Sequence, residues 1–330
     1  MRFLRNAMFC ALFCAICLAP AAAQVFDMRE LNTEQIRALP MDRTVVLMPA
    51  GILEQHGPYL PSYTDGYVNE YDARQVANAI VARPGWVVLM FPSIPLGAGG
   101  ANQVGLKSLF PGTYHVHYET LRAVYMDLAA ELGNAGFRWI FIFQNHGAMP
   151  HKLALDQASD FFGDTYGGRM VHLGGFAVPP PFSRTALLPS ENEQENGLDV
   201  HAGFSETSTI LFLRPDLVAT GVRSAQPMSG KTWSELVEIG AKDNWPGYFG
   251  SPRLATAAQG AEIMRRRAED LTGLVLRILD GLDPRTLPRA VDQQRTDAGI
   301  SRYNSAAAEH ERRVRSIQQQ WLATKGRQWP

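Results

Sequence analysis

An apolar run passes directly into a polar loop in residues 44–58, which read Thr44-Val45-Val46-Leu47-Met48-Pro49-Ala50-Gly51-Ile52-Leu53-Glu54-Gln55-His56-Gly57-Pro58. The run 44–48 is rich in β-branched and large apolar side chains and lacks the polar alternation of a half-exposed strand. It therefore predicts a strand that is buried on both faces of a sheet. Three similar runs, each bounded by turn residues, lie at 86–91, 138–143 and 169–173.

Stretches with helical periodicity lie between these runs, at 67–82, 117–132 and 151–162. Buried strands that alternate with helices predict a parallel sheet covered on both faces. We therefore expect an α/β fold, a three-layer α/β/α sandwich with a mainly parallel central sheet. In such sheets, functional side chains gather in the loops beyond the carboxyl ends of the strands.

The composition is that of an ordinary globular protein. The chain has 330 residues, 46% of them hydrophobic and 19% charged, and its 31 Lys and Arg are balanced by 32 Asp and Glu. No excess of positive charge favours a nucleic acid or an anionic membrane as partner. A small neutral or zwitterionic substrate fits this charge balance better.

The first 23 residues predict a secretory signal peptide. Arg2 and Arg5 precede an apolar run over 7–18, and a small-residue stretch ends at Ala23, where we expect cleavage. The run is too short for a permanent membrane anchor, so the mature protein is expected in the periplasm or secreted. The three cysteines lie in the segment that would be removed, which excludes disulfides and thiolate ligands from the mature chain: Cys10, Cys14 and Cys17.

The rest of the chain divides into a domain at 24–288 and a C-terminal helical extension at 289–330. A helix over 256–282 would close the domain, and the extension contains a predicted helix over 305–323. Residues 179–196 are rich in Pro, Ser and Glu and predict a long surface loop.

Three segments carry side chains suited to metal binding. Glu54 and His56 are two residues apart, so in an extended backbone both point to the same side, and a loop of this length could return Asp65 to them. A carboxylate such as Asp65 can bridge two cations. Glu-x-His also occurs by chance in many loops, so this pattern alone leaves both interpretations open.

The other two segments are 144–147, after the third run, and 201–208, before an apolar run that predicts a helix. His146 at the end of a strand is either functional or a hydrogen-bonded structural residue. Glu206 near a helix start either serves the site or only interacts with the helix dipole.

Together these segments resemble the creatininase, or creatinine amidohydrolase, family over residues 31–282. The strings that carry the resemblance are Pro49-Ala50-Gly51, Glu54-Gln55-His56-Gly57-Pro58, Leu60-Pro61, Thr64-Asp65, Phe110-Pro111-Gly112-Thr113, Asn145-His146-Gly147, His201-Ala202-Gly203 and Glu206-Thr207-Ser208.

The resemblance implies two divalent metal ions, one bound by Glu54, Asp65 and His146 and the other by His56, Asp65 and Glu206. Zn²⁺ is our first expectation, and Mn²⁺ or Fe²⁺ also suit oxygen and imidazole ligands. His201 matches a family histidine implicated in proton transfer, and we count it and Glu206 as the catalytic residues. The family commonly forms homo-oligomers, often hexamers.

The expected activity is a metal-dependent amidohydrolase that cleaves a non-peptide C–N bond in a small cyclic amide. Family members commonly have Asn-Gly-His-Gly-Gly-Asn where this chain has Gln144-Asn145-His146-Gly147-Ala148-Met149, and many have Glu-His where Leu106-Lys107 stand. Creatinine is therefore not the substrate we predict. The alternatives are a peptidase or cyclic-ketone hydrolase of the same family, and a secreted binding protein without catalysis.

Overall fold

The structure is a computed structural model that describes residues 24–176, 195 and 197–325. Within this part of the chain, five strands form one sheet in the order β1-β3-β2-β4-β5, and every adjacent pair is parallel. The strands are β1 Gln24–Asp27, β2 Thr44–Pro49, β3 Val87–Met90, β4 Trp139–Phe143 and β5 Arg169–His172. The predicted signal peptide and all of the predicted loop 179–196 except Glu195 lie outside the described residues.

The described residues also form nine α-helices. They are α1 Thr33–Arg37, α2 Thr64–Val81, α3 Tyr118–Asn134, α4 Met149–Tyr166, α5 Phe204–Leu213, α6 Trp233–Ala241, α7 Ala257–Leu279, α8 Ala290–Gln294 and α9 Ala298–Lys325. No helix in these described ranges combines the length and apolarity that a bilayer crossing requires.

The two faces of the sheet carry separate hydrophobic cores. Val46 and Met48 of β2 pack with buried side chains of α3 and α4, whereas Val45 and Leu47 pack with buried side chains of α2 and α7. This alternation follows from the strand period of two, which sends successive side chains to opposite faces. The predicted three-layer α/β/α sandwich is confirmed, with β2 at its centre.

Strand β1 was not predicted. It has four residues at the edge of the sheet and pairs only with β3, and Val25 is 45% exposed. A half-exposed edge strand does not need the continuous apolar run by which the other four strands were recognised.

The C-terminal extension packs on the domain through the first half of α9. Ile300 and Tyr303 are buried against α6, and a Cβ atom added at Gly299 would lie 2.6 Å from the main-chain nitrogen of Ser234. Helix α9 begins seven residues before its predicted start, because Asp297 accepts a hydrogen bond of 3.0 Å from the main-chain N–H of Ile300.

Candidate metal centre

Three separate segments meet at the carboxyl edge of the sheet. The loop after β2 carries Glu54 and His56, Asp65 is the second residue of α2, and His146 follows β4. Glu206 lies in the first turn of α5. The structure brings together all five residues that the sequence predicted as metal ligands, and it places His201 beside them. Their metal binding itself remains a prediction.

The ligand atoms form groups in which all atoms lie within 4.8 Å of one another. In the group Glu54, Asp65 and His146, the imidazole Nδ1 lies 3.0 Å from Glu54 Oε2 and 3.6 Å from Asp65 Oδ2. A second group is His56, Asp65 and Glu206, in which His56 Nε2 lies 3.6 Å from Glu206 Oε2. Asp65 belongs to both of these groups, as expected for a bridging carboxylate. A third group joins Glu54 and His56 to His201.

Each of the three histidines has one ring nitrogen fixed by a main-chain carbonyl. Because a carbonyl oxygen only accepts hydrogen bonds, that nitrogen carries the proton in a neutral ring, and the other nitrogen presents its lone pair to the carboxylates. Metal-binding histidines are commonly oriented in this way. The pairs are His56 Nδ1 with Glu54 O at 3.0 Å, His146 Nε2 with Gly99 O at 2.7 Å and His201 Nε2 with Gln55 O at 2.6 Å.

Several atoms that face the centre contact only other members of the cluster. Glu54 Oε2, Asp65 Oδ2 and His56 Nε2 are buried, and among the described residues they have no hydrogen-bond partner beyond their ion-pair contacts with His146 and Glu206. Leaving such polar atoms unsatisfied costs about 1–3 kcal/mol each, and more when the group is charged. Divalent cations would satisfy all three atoms, and oxygen and imidazole donors without sulfur suit Zn²⁺, Mn²⁺ or Fe²⁺. The residues therefore fit the metal ions that the sequence predicted.

The opposite ends of these carboxylates are already occupied. The main-chain N–H of Ala101 donates to Glu54 Oε1, and Asn145 Nδ2 donates to Asp65 Oδ1 over 3.2 Å. These hydrogen bonds fix the direction in which the remaining oxygens point. Asn145 was recognised only as part of the family string, and the structure gives it this positioning role.

Electrostatics within the cluster shift the protonation of its members. Burial alone would lower the pKa of His146, but Glu54 and Asp65 outweigh burial and raise that pKa well above its ordinary value. Burial raises the pKa of Glu206 to about 7, although His56 opposes the shift. Burial, reinforced by His56, lowers the pKa of His201 to about 4. His201 is therefore neutral at pH 7 in the absence of cations.

The Phe110-Pro111-Gly112-Thr113 string supports the loop between Glu54 and His56. The Thr113 hydroxyl accepts a hydrogen bond of 3.1 Å from the main-chain N–H of Gln55, and Tyr114 N donates to Leu53 O over 2.8 Å. Gly112 has a φ of +92°, a conformation that favours glycine. This string from a distant part of the chain thus holds two predicted ligands in place.

The start of helix α5 is capped by a residue that the sequence did not reveal. Asp199 accepts hydrogen bonds from the main-chain N–H groups of Phe204 at 2.7 Å and Ser205 at 2.8 Å. It lies four residues before the N-cap position Gly203, where a search for a capping residue would not look. Ala202 has a φ of +48°, and its N–H donates to Glu206 Oε2 over 2.6 Å. Such strain in a non-glycine residue is typical of functional sites.

The candidate centre opens into a cavity of about 190 Å³. Glu206 is the most exposed of the predicted ligands, with 21% of its side chain accessible. The far side of the cavity is lined by Trp233 of α6 and by three residues of the C-terminal extension, Gln294, Tyr303 and Asn304. None of these three was predicted as a site residue.

Comparison with known proteins identifies relatives of this chain. The family model of creatininase, described as creatinine amidohydrolase, matches residues 29–275. The mycofactocin precursor peptide peptidase of Mycobacterium ulcerans (strain Agy99) is 28% identical over 263 residues, which cover 77% of this chain and 93% of the relative. The creatinine amidohydrolase of Pseudomonas putida is 26% identical over 229 residues, covering 67% and 84% respectively.

Solved structures of creatininases share the fold. A crystal structure of creatinine amidohydrolase (creatininase) matches with a TM-score of 0.56 and 21% identity, covering 76% of this chain and 96% of that chain. A structure named "Creatininase Mn" matches with a TM-score of 0.57 and 22% identity. A mutant creatininase of the "Zn-Zn type" matches with a TM-score of 0.56 and 22% identity. Each covers 76% of this chain and 96% of its own.

Proposed function

The chain belongs to the creatininase family, and from that premise we propose that it is a hydrolase that binds two divalent cations and cleaves a C–N bond in a small amide. The observation that carries the proposal is the pair of three-residue groups that share Asp65. Two cations that share one carboxylate are a common arrangement for hydrolysis, because each stabilises a different oxygen in the reaction.

We assign Glu54, Asp65 and His146 to one cation and His56, Asp65 and Glu206 to the other. Zn²⁺ is our first choice, and creatininase structures named for Mn and Zn support either ion. Bound cations would activate a water molecule and polarise the carbonyl group of the substrate.

His201 is our candidate for proton transfer. Its Nε2–H is fixed on the carbonyl of Gln55, and its Nδ1 lies 3.9 Å from Glu206 Oε2. A neutral imidazole must first accept a proton, so His201 would take one at Nδ1 from the attacking water and then donate it to the leaving nitrogen. Glu206, the most exposed of the ligands, borders the same cavity and orients the reacting groups beside His201.

Peptide hydrolysis is the second candidate. The relative from Mycobacterium ulcerans, which is named mycofactocin precursor peptide peptidase, matches this chain over 93% of its own length. The chemical step is the same for a peptide bond and for a cyclic amide, so the two candidates differ only in how the substrate enters the cavity.

The test combines metal analysis with a substrate panel. The purified protein is loaded with Zn²⁺ or Mn²⁺, freed of loose ions and analysed for metal per chain, and we expect two equivalents. The same sample is assayed with small lactams, cyclic imides and short peptides, and we expect cleavage of at least one cyclic amide. If the protein retains no metal after loading and binds the amides without cleaving them, the non-catalytic binding protein is supported instead.

We also propose that the protein is exported and that cleavage follows Ala23. Gln24 is the first described residue and the first residue of β1, so removal of residues 1–23 would leave the five described strands intact. Sequencing the amino terminus of protein recovered from the periplasm should yield Gln24 first. Assembly into a homo-oligomer, which the family resemblance implies, stays a prediction that light scattering can check.

A further inference from the structure

The C-terminal extension lies beyond the part of the chain that matches the family. The family model ends at residue 275, within α7, whereas α8 and α9 occupy Ala290–Gln294 and Ala298–Lys325. We propose that this extension forms one wall of the substrate cavity through Gln294, Tyr303 and Asn304, and that the wall restricts the site to small amides without a negative charge. The proposal rests on the proposed function and adds the substrate class.

Helix α9 of the extension is fixed to the domain at two places along its length. At the start of α9, Gly299 allows close contact with α6, and Arg302 pairs with Glu238 of α6 over 2.6 Å. Further along α9, Glu311 accepts a hydrogen bond of 3.4 Å from the main-chain N–H of Tyr118, and Arg315 pairs with Glu119. Helix α9 therefore spans from α6 to the start of α3, and its residues Tyr303 and Asn304 line the cavity.

The residues that reach the cavity contact the loop of a predicted metal ligand. Gln294 Nε2 donates a hydrogen bond of 3.2 Å to the carbonyl of Gly147, the residue after His146. Because a carbonyl only accepts, this bond fixes the amide orientation and leaves Gln294 Oε1 as an acceptor. That oxygen is buried and has no hydrogen-bond partner among the residues that the structure describes. An N–H group of a bound amide would satisfy it.

Tyr303 forms the middle of the wall. It is 7% exposed, and its ring packs against Trp233 with 6.0 Å between the ring centroids. Its neighbour Asn304 adds an amide group to the same wall. A wall of rigid rings and neutral amides limits the size of the bound group and offers hydrogen bonds without charge.

The charges around the cavity disfavour anionic substrates. Three carboxylates border it, from Glu54, Asp65 and Glu206, and the two proposed cations would balance their charge, whereas none of the described residues that line it is Lys or Arg. With the cations engaged by water and the reacting carbonyl group, a substrate carboxylate elsewhere in the cavity would find no cationic side chain to pair with, and burying it unpaired is costly. An uncharged lactam or imide avoids that cost.

The charge requirement is tested with pyroglutamamide and pyroglutamate, which share a lactam ring and differ by one carboxylate. Binding to the zinc-loaded full chain is measured by ligand-observed NMR, and ring opening is assayed in parallel. We expect pyroglutamamide to bind at least about tenfold more tightly, a difference of about 1.4 kcal/mol. Equal binding, or tighter binding of pyroglutamate, would overturn the charge requirement.

The wall is tested with substitutions in the extension. Gln294→Ala should weaken pyroglutamamide binding about fivefold, whereas Gln293→Ala, the same residue type at the exposed preceding position, should leave it unchanged. Tyr303→Ala should relax the size limit, so that the preference for pyroglutamamide over a bulkier N-acyl dipeptide amide falls at least tenfold. Tyr303→Phe keeps the ring and should keep the size limit.

Thermal unfolding and metal content are recorded for every variant. If Tyr303→Ala does not fold, Asn304→Ala tests the same wall with a smaller loss of packing. Unchanged binding and unchanged size preference in the Asn304→Ala variant would then count against the wall. Wild-type-like selectivity in all the folded variants would overturn the wall and leave the hydrolase proposal standing. Conversely, altered binding without turnover of any amide would support the wall and reject the hydrolase.

Discussion

The Nε2 atom of His201 lies 2.6 Å from the main-chain carbonyl oxygen of Gln55, the residue between the predicted ligands Glu54 and His56. Two segments separated by 146 positions are thereby joined by one hydrogen bond inside the candidate centre. The bond fixes the tautomer of His201 and leaves its Nδ1 available for a proton. The geometry of His201 permits either proton transfer or metal binding, and the metal content of a His201 variant distinguishes these roles.

Replacing His201 with Ala should lower turnover by about 100-fold to 10,000-fold, because a positioned proton-transfer group contributes that much. The metal content should stay at the wild-type value, measured by elemental analysis. His117→Ala serves as the control, since His117 precedes α3 and belongs to none of the groups of described residues that could bind a metal. Loss of metal from His201→Ala would show instead that His201 is a ligand, as its group with Glu54 and His56 allows.

Replacing Asp65 with Ala should release both cations, because Asp65 is the member that the two groups share. The matched control is Asp72→Asn, a change at another buried aspartate of α2 that pairs with Arg267 over 2.5 Å, away from the centre. The control should keep its metal. Two tightly bound equivalents in folded Asp65→Ala would reject the bridging role.

Metal affinity should increase with pH. Glu54 and Asp65 raise the pKa of His146 despite its burial, so the metal-free protein holds a proton where a cation would bind. Binding must displace that proton, and affinity therefore falls by at least about tenfold per pH unit below the pKa of His146. The cation bound by Glu206 must also displace a proton below pH 7, because burial raises the pKa of Glu206 to about 7. Competition with a chromophoric zinc chelator across a pH series measures the slope. A flat profile would contradict proton displacement at this site.

Replacing Asp199 with Ala should destabilise the start of α5 by about 1 kcal/mol, as expected for loss of a helix cap. Glu206 lies in that first turn, so the affinity for the cation that it would bind with His56 and Asp65 should also fall. Asp216→Ala removes an exposed aspartate that pairs with Arg214 after the same helix, and it should leave metal binding unchanged. Denaturant unfolding measures the stability, and metal titration measures the affinity. Identical metal affinities in the two variants would show that the helix cap does not support the metal site.

The sequence by itself determined four of the five described strands, most of the helices and the set of residues at the candidate centre. Strands β2 to β5 are short apolar runs and the main helices have clear periodicity, so local pattern was sufficient. The residues of the centre were recognised because Glu54, His56 and Asp65 stand close together in the chain after β2, and because the other strings match the family.

Only the tertiary structure decided how those residues are oriented and what faces them. The carbonyl groups of Gln55 and Gly99 fix His201 and His146, and any residue type can supply a carbonyl, so no sequence pattern marks them. The edge strand β1 and the cavity wall containing Tyr303 likewise depend on contacts between segments that are distant in the chain. Local periodicity records which face of an element is buried, but the partner that covers that face is set by the packing of the whole chain.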